Sequence, residues 1–288
     1  MATIARSVRK ELSNLIPSQE GPQNTLSEAM RYSSIEGGKR LRPFLLVKSA
    51  NLFNVPFQQS IRVAAAVELI HCYSLVHDDL PAMDDDDLRR GKPTNHKVFG
   101  EATAILAGNA LLTLAFESLN KPDRGIEAGI RCQLSQKLAE AAGMKGLVGG
   151  QILDIGSENH ILNESEISQL QQLKTGALFR FSAEAGVLLG SGEAEDLRAL
   201  SNYADALGMA FQITDDLLDV EGQQEKTGKR TRKDGVAGKA TFVSLLGVES
   251  ARTKAQDLIE TSVQCLNRFD DRAEDLRKLS DFILTRTH

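Results

Sequence analysis

Six aspartates fall within one short stretch of this 288-residue chain: Asp78, Asp79 and Asp84 to Asp87, with Arg89 and Arg90 immediately after them. An apolar run from Val63 to Val76 leads into the stretch. Carboxylates this close repel one another. A hard cation such as Mg²⁺ relieves the repulsion, because it takes a few carboxylate oxygens and completes its shell with water and phosphate oxygens. The adjacent guanidinium groups suit the same phosphates, which they bind bidentately. A second acidic group, Asp215, Asp216 and Asp219, lies further along with Gln212 beside it. Asp215 and Asp219 are four apart and share a helix face, where like charges destabilise the helix unless a cation sits between them. The chemistry that this pattern allows is metal-assisted handling of a diphosphate.

Helices must carry these groups. The spacing predicts helices over 4–16, from Thr25 or Ser27 to Gly37-Gly38, from about Pro43 towards Phe53, and over Ser60 to Leu80. Lys39 and Arg42 then flank the start of the third helix, where backbone N–H groups and basic side chains together can hold an anion. Val67, His71, Ser74 and Asp78 line one face of the fourth helix. A lone histidine at such a position is ordinarily a packed core residue. Pro81 should end that helix, so that residues 80–84 loop back and return Asp84 towards Asp78, while Asp85 to Asp87 face solvent. Further helices follow over 102–119, 126–142 and 147–155, then one that Asn163 to Ser165 opens. Gly149-Gly150 precede Gln151 and Asp154 and signal a close approach by a helix or a ligand. Gly176, in Lys174-Thr175-Gly176, marks a kink. A long helix over 192–220 has an amphipathic stripe (Leu197, Leu200, Ala204, Leu207, Phe211, Thr214, Leu218), with the second acidic group beside it. Residues 222–238 read as a loop and a candidate lid, and two helices over 241–269 and 272–285 close the chain. No sustained period-two pattern appears, so the fold class is all-α, and no linker or repeat divides the chain, so one domain is expected.

Composition excludes several classes. The net charge of −5 argues against a nucleic-acid binder, although Lys39-Arg40-Arg42, Arg89-Arg90-Lys92 and the lysines and arginines from 226 to 233 are local basic clusters. Three cysteines without C-x-x-C spacing fit reduced thiols in a cytoplasmic protein. The N-terminus lacks the pattern of a secretory signal. The longest uncharged apolar stretch, Thr103 to Phe116, is short of a bilayer span, so no membrane anchor is expected.

Taken together and in order, GGKRLRP, DDLPAMD, LRRGKPTNH, GGQILD, KTGALF, FQITDDLLD and GKAT are specific. The chain resembles the trans-polyprenyl diphosphate synthases, most closely the bacterial farnesyl diphosphate synthases, over nearly its whole length. The resemblance implies a homodimeric isoprenoid synthase fold, a ring of helices around a central cavity, in which the two acidic motifs hold three Mg²⁺. It implies metal ligation by Asp78 and Asp84, helped by Asp79, and by Asp215, with Asp216 and Asp219 in support. Lys39, Arg42, His71 and Arg90 would bind isopentenyl diphosphate, which moves His71 from core residue to ligand. Arg89, Lys174, Lys229 and Lys239 would hold the allylic diphosphate. Thr175, Gln212 and the carbonyl of Lys174 would stabilise the allylic cation, and Gln151 and Asp154 would line the site. Tyr73 and Ser74, about a helical turn below Asp78, would set product length, with Tyr73 as a floor that stops growth at fifteen carbons. One departure is Asn109 in Gly108-Asn109-Ala110-Leu111, where the family commonly has aspartate. Alternatives are a geranylgeranyl diphosphate synthase, a terpene cyclase (which lacks the second DDxxD and the isopentenyl pocket) and a non-catalytic subunit of a heteromeric synthase.

Overall fold

Hydrophobic spacing resolves into helices almost throughout the computed structural model, which describes residues 1–18, 20–157, 160, 162–227 and 241–286. Two compact units are formed, Met1–Gln136 with Leu188–Ser191, and Lys137–Val187 with Gly192–His288.

In the first unit, α1 (Ala2–Leu15), α2 (Asn24–Ser34), α3 (Leu41–Asn51) and α6 (Glu101–Asn120) pack around α4 (Phe57–Asp78). Every residue of α4 from Ser60 to Ile70 is buried, as befits a helix that is apolar on most sides. The charged residues on it are paired. Arg62 meets Glu11 of α1 at 2.6 Å and Asp123 at 3.0 Å, which ties α1 to α4. The short α5 (Asn95–Phe99) precedes α6. By length and composition α6 could cross a bilayer; here it packs along α4 and α2. Asn109 is exposed on it. Helix α2 starts at Asn24 and stops at Ser34, earlier at both ends than its sequence suggests. The Ser27 hydroxyl is spent on the Pro17 carbonyl rather than on a cap.

The second unit holds the end of α7 (Ala128–Ala142), α8 (Leu147–Gly156), α9 (Glu164–Gln171), most of α10 (Ala177–Leu189), α11 (Ala194–Thr227), α12 (Phe242–Leu246), α13 (Val248–Cys265) and α14 (Glu274–Thr285). Asn163 opens α9 with a full capping box to Glu166. The expected single helix over 241–269 is two: Gly247, with φ of 80°, separates α12 from α13. Helix α11 runs 34 residues, seven beyond the expected end at 220. The face that it buries includes Leu200, Tyr203, Ala204, Leu207, Ile213 and Leu217, so Phe211 and Leu218 sit at its edge, half-buried. Ile213 and Leu217 join Phe242 and Val243 of α12 and Ala251 and Ala255 of α13 in one apolar cluster.

Candidate active site

The first acidic stretch begins where α4 ends. Asp79 caps the helix, and the chain then folds back so that the Asp84 amide donates to the Asp78 carbonyl at 2.9 Å and the Asp85 amide to the Leu80 carbonyl at 3.2 Å. Asp85 completes the turn in the left-handed region, with φ of 48°. A separation of six residues, which would scatter the two carboxylates around a straight helix, thus becomes adjacency of Asp78 and Asp84. Asp79 points another way. It is buried, and Arg89 Nε donates to its Oδ1 at 2.6 Å. Burial pushes its carboxyl above the usual range, against the pull of Arg89. Asp86 is half-buried and meets the same arginine at 3.6 Å, so only Asp85 and Asp87 are exposed, and Asp87 pairs with Lys97.

Arg89 and Arg90 sit on a small hairpin that periodicity does not reveal. Leu88–Arg89 pairs antiparallel with Lys92–Pro93, and both loop residues have positive φ, 54° at Arg90 and 75° at Gly91. Two such residues make the loop that best matches strand twist; the Arg-Gly pair was its only sequence signal. The Arg90 guanidinium lies on Gly38, where a Cβ would stand 2.9 Å from Nη1. The glycine pair is therefore a seat for an arginine as well as a turn. His71 is half-buried. Burial holds its imidazole well below the usual histidine range, and Arg42, Arg90, Arg40 and Arg89 around it push the same way. It is neutral at pH 7, in a field that favours anions. Lys39 is exposed. Arg40 is different in kind: it is buried, pairs with Glu68 of α4, and donates to the carbonyls of Ser34 and Ile35 at 2.6 and 3.1 Å.

Tyr73 and Ser74 lie on α4 below this turn, both buried, with the Tyr73 ring set edge-on against His77.

In the second unit the expected kink at Gly176 is a π-helical turn, Gln172–Gly176. Such turns add a residue to a helix and recur at functional sites. It carries Lys174, half-buried, and Thr175, buried. Two glycines let other backbones reach it. A Cβ at Gly150 of α8 would collide with the Lys174 amide nitrogen, and one at Gly208 of α11 would lie 3.4 Å from the Gly176 Cα. Gly150 is thus the close approach that its sequence context signals. Gly150→Ala should push the π-turn off α8, and activity is expected to fall about a hundredfold, as for misplacing a reacting group by an ångström. Steady-state turnover, read beside circular dichroism to confirm helix content, checks this. The Lys174 ammonium is held by Asp154 at 2.6 Å, one turn beyond the buried Gln151.

On α11, Gln212 donates to Gln171 at 2.7 Å. Asp215 pairs at 2.7 Å with Arg286, a residue that its sequence position did not single out. Arg286 also donates to the Phe211 carbonyl and the Thr214 hydroxyl, each at 2.8 Å, and stacks on the Phe211 ring. Asp216 is half-buried and Asp219 exposed. Lys229, Lys239 and residues 228–238 of the candidate lid lie outside the described residues, while 222–227, expected as loop, continue α11 as helix. Among the described residues no three His, Cys, Asp or Glu side chains gather into a ready-made metal cage. That donor set still fits Mg²⁺, which binds through one or two carboxylates and keeps water and phosphate oxygens for the rest of its shell.

Residues 23–280 match the family profile described as polyprenyl synthetase. The chain belongs to that family. It is 44% identical to the farnesyl diphosphate synthase of Geobacillus stearothermophilus over 98% of this chain and 95% of that one. It is 46% identical to the farnesyl diphosphate synthase of Escherichia coli, over 92% and 90% of the two chains. Among solved structures it matches an FPP/GFPP synthase from Zymomonas mobilis with a TM-score of 0.90 at 44% identity, covering 99% of this chain and 97% of that one. The all-α class expected of the sequence is borne out, and as a polyprenyl synthetase the chain is a trans-prenyltransferase.

Proposed function

We propose that this polyprenyl synthetase, one synthase domain from end to end, condenses isopentenyl diphosphate with dimethylallyl and then geranyl diphosphate to give farnesyl diphosphate. The observation that carries the reading is the amide of Asp84 bound back to the carbonyl of Asp78, which brings two aspartates six apart in sequence together at the end of a buried helix. With Asp215, and with Asp216 and Asp219 in support, they would hold Mg²⁺ on the allylic diphosphate, three ions per site. Bound there, Mg²⁺ stabilises the charge that grows on the departing diphosphate. Asp79 serves the set through Arg89, which it fixes.

Arg89, Lys174, Lys229 and Lys239 hold the allylic diphosphate, and Asp154 keeps the Lys174 ammonium in place until it arrives. Lys39, Arg42, His71 and Arg90 hold isopentenyl diphosphate. The neutral His71 contributes one hydrogen bond, since the arginines already supply the positive charge. Loss of diphosphate leaves an allylic cation, which the Thr175 hydroxyl, the Gln212 amide oxygen and the Lys174 carbonyl face with their negative ends. Gln151 lines the site. The double bond of isopentenyl diphosphate attacks the cation, and the released diphosphate takes the final proton. Tyr73 blocks further growth.

The reading is tested by incubating the protein with dimethylallyl and isopentenyl diphosphates, with and without EDTA, and sizing the alcohols after dephosphorylation. Diphosphate release that EDTA abolishes, with a fifteen-carbon product, is expected. Folded protein that releases none with Mg²⁺ present would sink the catalytic reading. A twenty-carbon main product would make it a geranylgeranyl diphosphate synthase, the activity named for an Arabidopsis thaliana relative at 41% identity. The protein is proposed to act in the cytoplasm as a homodimer; Ile105 and Leu106, exposed on α6, are side chains that a second copy would cover.

A further inference from the structure

His77, the residue before Asp78, has no part in the chemistry above, yet its ring is fixed on three sides. It stands one helical turn from Tyr73 on α4, and the two rings meet edge to face, with centroids 5.5 Å apart and planes at 90°. Its Nε2 is 3.1 Å from the Ile105 carbonyl of α6. A carbonyl only accepts, so Nε2 carries the proton and donates. The ring also fills a notch in α6 that exists because residue 108 is glycine: a Cβ there would collide with Nε2 and Cδ2 and lie 2.9 Å from Cε1. Gly108 is buried and not among the residues of positive φ, so the glycine is there for space rather than for backbone freedom.

The geometry points to His77 as a specificity-determining positioning residue: bolted to the α6 backbone through Ile105 and the Gly108 notch, it fixes the Tyr73 ring and so sets the length at which the product stops growing. This rests on Tyr73 being the floor. A floor that can turn aside is a poor stop, because a side chain at the end of an apolar tunnel yields to each added isoprene unit unless something holds it. Neighbouring residues on the same helix face restrict Tyr73 from one direction, and the imidazole edge restricts it from another.

The test compares wild type, Tyr73→Ala, His77→Ala, His77→Gln and Gly108→Ala, each as the full chain, with dimethylallyl diphosphate and excess isopentenyl diphosphate. Alcohol lengths are measured beside total turnover and melting temperature. His77→Gln keeps a donor within reach of Ile105 but loses the ring edge, so it stands in if the alanine variants do not fold. His77→Ala and His77→Gln should each raise the ratio of twenty- to fifteen-carbon product about tenfold, the factor that 1.4 kcal/mol makes, within the range for an edge-to-face pair. Gly108→Ala, which expels the imidazole, should do the same with His77 still present. If Tyr73→Ala leaves product length unchanged, the floor reading itself fails. If Tyr73→Ala lengthens the product and the folded His77 variants do not, the floor stands and this inference is overturned. Slower turnover at unchanged length also overturns it, since that is what a purely structural histidine would give.

Discussion

Asp215→Asn is expected to slow Mg²⁺-dependent condensation about a thousandfold, the loss found when one preorganised group that meets transition-state charge is removed, while the protein stays folded. The two effects separate because of how Asp215 is placed. Its side chain is 43% exposed, whereas its partner Arg286 is 4% exposed. A pair with one end in water contributes little net stability, on the order of 1 kcal/mol or less. Arg286 would keep its bonds to the Phe211 carbonyl and the Thr214 hydroxyl. The amide also preserves the shape of the carboxylate, so no cavity opens. Burial holds the Arg286 guanidinium below its ordinary range, and the nearby Asp215 and Asp219 pull it back up, yet it remains charged throughout the working range of the enzyme. Single-turnover rates with geranyl diphosphate, beside urea unfolding, give both numbers. An Asp215→Asn enzyme within a few fold of wild type would remove the second acidic motif from the chemistry.

Arg40→Ala should do the opposite, a large loss of stability from a residue that touches no substrate. The Arg40–Glu68 pair is almost wholly buried, with side chains 3% and 2% exposed. Burial alone would lower the Arg40 pKa, but Glu68, with Cys72 beside it, outweighs the burial and the net shift is upward. Removing one member of a buried pair leaves the other charged and without its partner, which costs about 3–5 kcal/mol. Arg40 also sits at φ of 53°, and its guanidinium satisfies the carbonyls of Ser34 and Ile35 at the end of α2, so the joint between α2, α3 and α4 loosens with it. Urea midpoints measure the loss. The double variant Arg40→Met/Glu68→Leu should recover much of it, because replacing both charges by apolar groups of similar volume is often neutral or better. Equal loss in the single and double variants would show that the two carbonyls, not the ion pair, set the cost.

Much of this was legible in the residues. The reversal at Pro81 follows from a missing backbone donor, and the contact at Gly150 from a glycine inside a helical pattern; both are local causes, written where they act. Arg40 was read with Lys39 and Arg42 as one basic cluster, because sequence shows charge and not burial, and its partner Glu68 lies 28 residues away. Arg286 escaped for the same reason, its partners being some 70 residues distant. Asp79 was read as helping Asp78 and Asp84 hold metal, because neighbouring aspartates are chemically identical on paper. On a helix they point about 100° apart, and here one of them turns inward to Arg89. The hairpin at Arg89 left only its Arg-Gly pair as a signal, because two-residue strands have no period to detect.

The π-turn between α9 and α10 has a bearing on how this chain can vary. Read as uninterrupted α-helix, residues 164–189 have one residue too many, and that surplus is what advances everything after Gly176 by about 100° around the axis. Deleting any single residue from Gln172 to Gly176 would straighten the segment and swing Ser165 to Leu170 away from the side they now present. A gap of one is therefore worse here than most substitutions. Descendants of this sequence should keep the count of that segment even where residues outside the site, such as Gln172, change.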